Sequence, residues 1–79
     1  MEKLLKILKR VKPEVDFIEN NNLIDKGILD SIDIVTIISE IEMEYLIEFD
    51  PGEIDPDNFQ SVLTMLEMIE KTKKMNEKR

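Results

Sequence analysis

The chain has 79 residues, no histidine, no cysteine and a net charge of −7. That length supports one domain with a modest core and leaves little room for an enclosed active site. The composition excludes Ser-His and Cys-His nucleophiles, zinc–thiolate centres and disulfides, and no apolar run is long enough to span a bilayer.

The spacing predicts an amphipathic helix from Glu2 to about Val11. Leu4, Leu8 and Val11 share a face, with Leu5 and Ile7 beside it and lysines opposite. Pro13 stops or redirects it. Asp16 to Gly27 reads as a long irregular connection, and loops of that length are often functional. Phe17, Ile18, Leu23, Ile24, Ile28 and Leu29 are expected to pack it against the helices.

A second helix is predicted from about Ser31 to Leu46, with Asp30 or Ser31 as its N-cap. Steps of about 100° per residue place Ile34, Ile37, Ile38, Ile41 and Tyr45 on one stripe, the expected core face. Ile32, Val35, Ser39 and Met43 form another stripe, flanked by Glu42 and, further round, by Asp33, Glu40 and Glu44. It lies too far from the first to be wholly buried in a small bundle.

Phe49-Asp50-Pro51-Gly52 carries turn chemistry, and Asp55-Pro56 can open a short helix or single turn before Phe59. Ser61 is expected to cap a last helix with Val62, Met65, Leu66 and Ile69 on its apolar face, fraying after Lys71. No repeat and no strand is evident. The expected fold is all-α, a small four-helix bundle of three main helices and one short one. The ordered domain is expected over about 2–72, with 73–79 a basic, frayed tail.

The charge is unevenly placed. No lysine or arginine lies between Gly27 and Glu70, while Lys3, Lys6, Lys9, Arg10 and Lys12 sit near one end and Lys71, Lys73, Lys74, Lys78 and Arg79 near the other. An acidic middle repels nucleic acid and anionic lipid and attracts basic protein surfaces. The expectation is a monomer that binds no nucleic acid and does not enter membranes. No signal-peptide pattern opens the chain, so a cytoplasmic location is the default.

Carboxylates are abundant, yet no nucleophile or base accompanies any pair in a way that suggests catalysis. Asp50, Glu53, Asp55 and Asp57 resemble the start of a calcium loop, but its sixth position holds Asp55 where an EF-hand needs glycine. No metal site is expected. Ser31 is the remaining candidate. It stands at a predicted helix start between Asp30 and Ile32-Asp33, where unpaired N–H groups and the helix dipole favour a negative group.

Gly27-Ile28-Leu29-Asp30-Ser31-Ile32-Asp33, followed by an isoleucine-rich helix, an acidic loop and a short capped helix, resembles the acyl and peptidyl carrier protein family from about residue 2 to residue 72. The family core is Gly-x-x-Asp-Ser-Leu/Ile. The resemblance implies a four-helix bundle that is not an enzyme. Its Ser31 would receive 4′-phosphopantetheine from coenzyme A through a phosphopantetheinyl transferase. The arm would supply the thiol this chain lacks and carry acyl or aminoacyl groups as thioesters. Other partners would be acyl- or aminoacyl-activating ligases or synthases with basic docking surfaces.

The resemblance further implies partner recognition along the second helix, through Asp30, Ile32, Asp33, Val35 and Met43. Ile54 would contribute to a cleft for the arm or its cargo. Fatty-acid synthesis carriers usually have an acid where this chain has Thr36, and a smaller pair where it has Ile28-Leu29. The Gly-Ile-Leu-Asp-Ser wording is closer to stand-alone carriers of specialised lipid, polyketide, aminoacyl or D-alanyl pathways. The rival expectation is a small helical adaptor in which Ser31 is a plain cap.

Overall fold

A computed structural model describes residues 1–77. Three α-helices account for most of them, and no strand occurs among the described residues. Helix α1 spans Glu2–Val11, α2 spans Ser31–Tyr45 and α3 spans Val62–Glu77. Two 3₁₀ turns, Pro51–Glu53 and Pro56–Phe59, lie between α2 and α3. The molecule measures 37 × 23 × 19 Å.

Helix α1 forms because apolar side chains recur every three to four residues, and it stops because Pro13 bars a helical conformation at Lys12. Lys12 has φ −138° and ψ 79°. Leu4, Ile7 and Leu8 are buried, while Leu5 and Val11 are only partly covered. Ile7 therefore belongs to the central face and Val11 to its margin.

Contacts along their length show that α1 and α2 run antiparallel. Lys12 pairs with Asp33 at 3.3 Å, Arg10 with Glu40 at 3.1 Å, and the Lys3 ammonium lies 4.9 Å from the Tyr45 ring centroid. In α2, Ile37 and Ile41 are fully buried and Ile34 nearly so, with Ile38 and Tyr45 at the edge of the core. The core stripe lies where the periodicity places it.

The long connection packs down through Phe17, Leu23 and Leu29, all buried, with Ile24 and Ile28 half-covered. Ile18 does not follow them and is 61% exposed. The cause is local: the Asp16 carboxylate accepts from the N–H groups of Ile18 and Glu19, and this turn directs Phe17 inward and its neighbour out.

The short element before α3 is not an α-helix. Asp50 and Asp55 each cap a proline-started 3₁₀ turn by accepting from Gly52 N–H and Asp57 N–H. Runs of three or four residues close i→i+3 bonds more readily than a full α-turn. Phe59, fully buried, anchors the second turn.

Ser61 caps α3 as expected. Thr64 N–H donates to Ser61 Oγ at 3.2 Å, and Ser61 N–H donates to Thr64 Oγ1 at 3.1 Å. The buried face is Val62, Met65, Met68 and Ile69, with Met68 more covered than Leu66. The helix does not fray after Lys71 but continues to Glu77. The Asn76 side chain explains this: its Oδ1 accepts from Glu48 N–H at 2.9 Å and its Nδ2 donates to Glu48 O at 3.2 Å. That clasp holds the last turn of α3 to the segment after α2. Lys78 and Arg79 lie outside the described residues.

Helix α2 ends on Leu46, a non-glycine residue in the left-handed region at φ 55° and ψ 48°, with its side chain 88% exposed. A left-handed leucine costs about 1–2 kcal/mol relative to an unstrained conformation, and its exposed side chain recovers little by packing. Leu46→Gly should therefore raise stability by up to about 1 kcal/mol, the lower value reflecting glycine's freer unfolded chain. Urea unfolding of both proteins measures it, and a destabilised variant would mean that the Leu46 side chain packs.

Candidate functional site

The candidate site is the start of α2 and the turn that feeds it. Gly27 has φ +70°, and a side chain added there would meet nothing within 4 Å, so backbone conformation and not crowding selects glycine. The turn is tied to the segment just before α3. Leu23 N–H donates to Gln60 O at 2.9 Å, while Ile24 and Asp25 N–H donate to Gln60 Oε1 at 3.0 and 3.2 Å. Leu23 O in turn accepts from Ile28 and Leu29 N–H. Buried Leu29 then delivers the chain to Asp30.

Asp30 is the N-cap, in extended conformation at φ −109°. Asp33 N–H donates to Asp30 Oδ1 at 2.9 Å, and Asp30 N–H donates to Asp33 Oδ2 at 3.2 Å. This reciprocal capping box satisfies two of the free donors at the helix start. Because Asp30 does the capping, Ser31 does not. Ser31 is exposed at the first helical position, and its hydroxyl bonds to no described residue.

The Asp33 N–H holds the Asp30 carboxyl below its ordinary value, outweighing the opposing effect of desolvation; the Asp33 side chain, the Ile32 N–H and Lys12 add in the same direction. A carboxyl depressed on folding stabilises the fold above the unfolded value, about 3.9, and loses that contribution as pH falls through the folded value. The expected result is an acid-limb loss of Tm that is smaller in Asp30→Asn, which caps without a titrating group. Melts taken between about pH 5 and about pH 2 measure it. Identical acid limbs would remove Asp30 as the cause.

Of the other residues singled out by sequence, Ile32, Val35 and Met43 stand out in solvent at 74%, 64% and 69% exposure, with Ser39 exposed between them. They form one stripe running away from Ser31. Asp33, expected to take part in partner recognition, is engaged within the molecule: its side chain is 16% exposed, closes the capping box and pairs with Lys12 at 3.3 Å. Its position three residues after the cap turns the carboxylate back to Asp30 N–H, and the antiparallel helix supplies the cation. Ile54 is half-buried against the core, and it does not join the exposed stripe.

The acids beside the stripe are likewise engaged. Glu40 and Glu44 pair with Arg10 at 3.1 and 3.7 Å, and Glu42 Oε2 accepts from Phe49 N–H at 3.0 Å. The surface leading from Ser31 is thus an apolar strip whose neighbouring carboxylates are held within the molecule. Gln60 is the positioning residue that sequence reading passes over. It adjoins Ser61, and no local pattern marks a glutamine whose partners lie 35 and 36 residues away.

Three surface clefts of the molecule include neither Ser31 nor Ile54 among their lining residues. Among the described residues, no group of three or more acidic side chains is arranged to hold a metal ion, and no helix is long and apolar enough to cross a membrane. No family model matches the chain, and no curated protein or solved structure matches it.

Proposed function

We propose that this chain is a carrier protein whose Ser31 bears 4′-phosphopantetheine and which is not itself an enzyme. The observation that carries the reading is the division of labour at the start of α2. Asp30 and Asp33 complete the cap between them, so the neighbouring hydroxyl is exposed and bonds to no described residue at a capped helix terminus. A serine serving as a plain cap would have its oxygen occupied by a first-turn N–H.

The residues present fit a phosphodiester. Ser31 Oγ would attack the pantetheine-side phosphorus of coenzyme A, form the new P–O bond, lose its proton to solvent and release adenosine 3′,5′-bisphosphate. The attached group would sit at the positive end of α2. When bound, the arm supplies the thiol that carries an acyl or aminoacyl thioester. Asp30 and Asp33 keep the helix start ordered, Gln60 and Leu29 hold the turn before it, and Ile32, Val35 and Met43 offer apolar contact to the modifying and loading enzymes. In this reading the paired 3₁₀ turns stand as the short fourth element of a carrier bundle.

The intact mass after incubation with coenzyme A and a broad-specificity phosphopantetheinyl transferase tests the proposal. One added phosphopantetheinyl group is expected. An unmodified chain, under conditions that load a control carrier, would leave the exposed stripe of α2 as the surface of a helical adaptor.

A further inference from the structure

The basic residues that the sequence separates into two ends meet around one ring. Lys3 lies 4.9 Å and Lys73 5.1 Å from the centroid of Tyr45. From there Lys3, Lys6, Lys9 and Arg10 line a cleft of about 460 Å³ together with half-buried Leu5 and Glu44. The chain has 18 acidic and 11 basic residues, so unmatched cations are unexpected. Yet among the described residues only Arg10 of these four is paired with carboxylates, those of Glu40 and Glu44. The Lys9 ammonium donates to the Val15 carbonyl at 3.1 Å, which leaves its charge uncompensated. Lys6 has no partner among the described residues, and the Tyr45 ring does not neutralise Lys3.

We propose that this cleft docks an acidic amphipathic helix of a partner protein, at a surface separate from the stripe beside Ser31. Charge complementarity selects the partner's sign. Three ammonium groups without carboxylates gain from an anionic neighbour and speed its encounter. Spacing selects its form. Lys3, Lys6 and Lys9 advance by about 4.5 Å each, the same rise that separates carboxylates three apart on another helix. Half-buried Leu5 in the lining gives an aliphatic contact between them. A flat anionic bilayer fits less well: the main apolar face of α1, Leu4, Ile7 and Leu8, is already buried in the core, and the net charge of −7 opposes adsorption.

The test uses the unmodified full chain and does not depend on Ser31. The probe is a synthetic helical peptide with glutamates at every third or fourth position beside a leucine face. Amide NMR shifts should move at residues 3–10 and at Tyr45, saturably. Lys6→Glu should weaken binding roughly tenfold, since a repelling charge replaces an attracting one at the centre of the row. Binding should also weaken between about 0.05 M and about 0.5 M salt as charges are screened. Lys6→Gln, folded by circular dichroism, serves if Lys6→Glu does not fold. Several outcomes overturn the proposal: shifts confined to the Ile32–Met43 stripe, equal binding by the Lys6 variants, or equal binding of a glutamine-for-glutamate peptide. It also fails if the unmodified chain leaves the peptide unbound but cosediments with phosphatidylserine vesicles, or if it self-associates through this face in a way that Lys6→Glu abolishes.

Discussion

Ser31→Ala is expected to accept no phosphopantetheinyl group while melting within experimental error of the wild-type chain. Both halves follow from one geometry. Modification needs the hydroxyl, and alanine has none. Stability does not need it, because the cap oxygen belongs to Asp30 and the reciprocal acceptor to Asp33. Alanine is also the better helix former at an exposed first-turn position, so the change in stability should stay within about 0.5 kcal/mol. Intact mass and a thermal melt on the same preparation read the two halves separately. Loading of the variant would move the attachment site elsewhere. A large drop in Tm with loading abolished would mean that Ser31 supports the helix start after all.

Ile41→Ala should lose roughly 2–5 kcal/mol, whereas Met43→Ala should lose about 0.5 kcal/mol or less. The two residues are two positions apart on the same helix, so propensity and chain position are nearly matched. They differ in burial: Ile41 is fully covered and Met43 is 69% exposed. Removing the Ile41 side chain leaves a cavity between α2 and its neighbours and forfeits the transfer energy of the buried methyl and methylene groups. Removing the Met43 side chain leaves only surface. Denaturant unfolding gives both values. The carrier reading adds that Met43→Ala should slow loading by a cognate enzyme with the fold intact. Should Met43→Ala unfold as readily as Ile41→Ala, Met43 belongs to the core and the stripe loses its far end.

The beginnings of the helices, and the end of α1, are legible because their causes are local. Pro13 stops α1, the Asp30–Asp33 box starts α2, Asp55-Pro56 starts a turn, and Ser61 starts α3, each through bonds or sterics within four residues. The core stripe of α2 is legible for the same kind of reason, since a fixed rotation per residue places Ile34, Ile37 and Ile41 on one face. The exposure of Ile32, Val35 and Met43 follows from that rotation as well.

What the sequence hides is whatever depends on a partner far along the chain. Asp33 reads as a free surface acid until the antiparallel α1 brings Lys12 to 3.3 Å. Gln60 reads as an ordinary spacer until the connection before Ser31 folds back onto its carbonyl and side chain. The last turns of α3 read as a frayed basic tail, because a run rich in lysine repels itself and has few local partners. Asn76 reverses that by bonding both backbone groups of Glu48, 28 residues away. The sequence by itself therefore determined where helices begin, which face of α2 is core and which serine stands at a helix start. Only the tertiary structure decided that Asp33, Glu40 and Glu44 pair with Lys12 and Arg10, and that the two basic ends meet at Tyr45. Local rules act within a turn or two of helix, and they also leave Ser31 free of the cap, whereas those two outcomes need contacts between residues that only packing brings together.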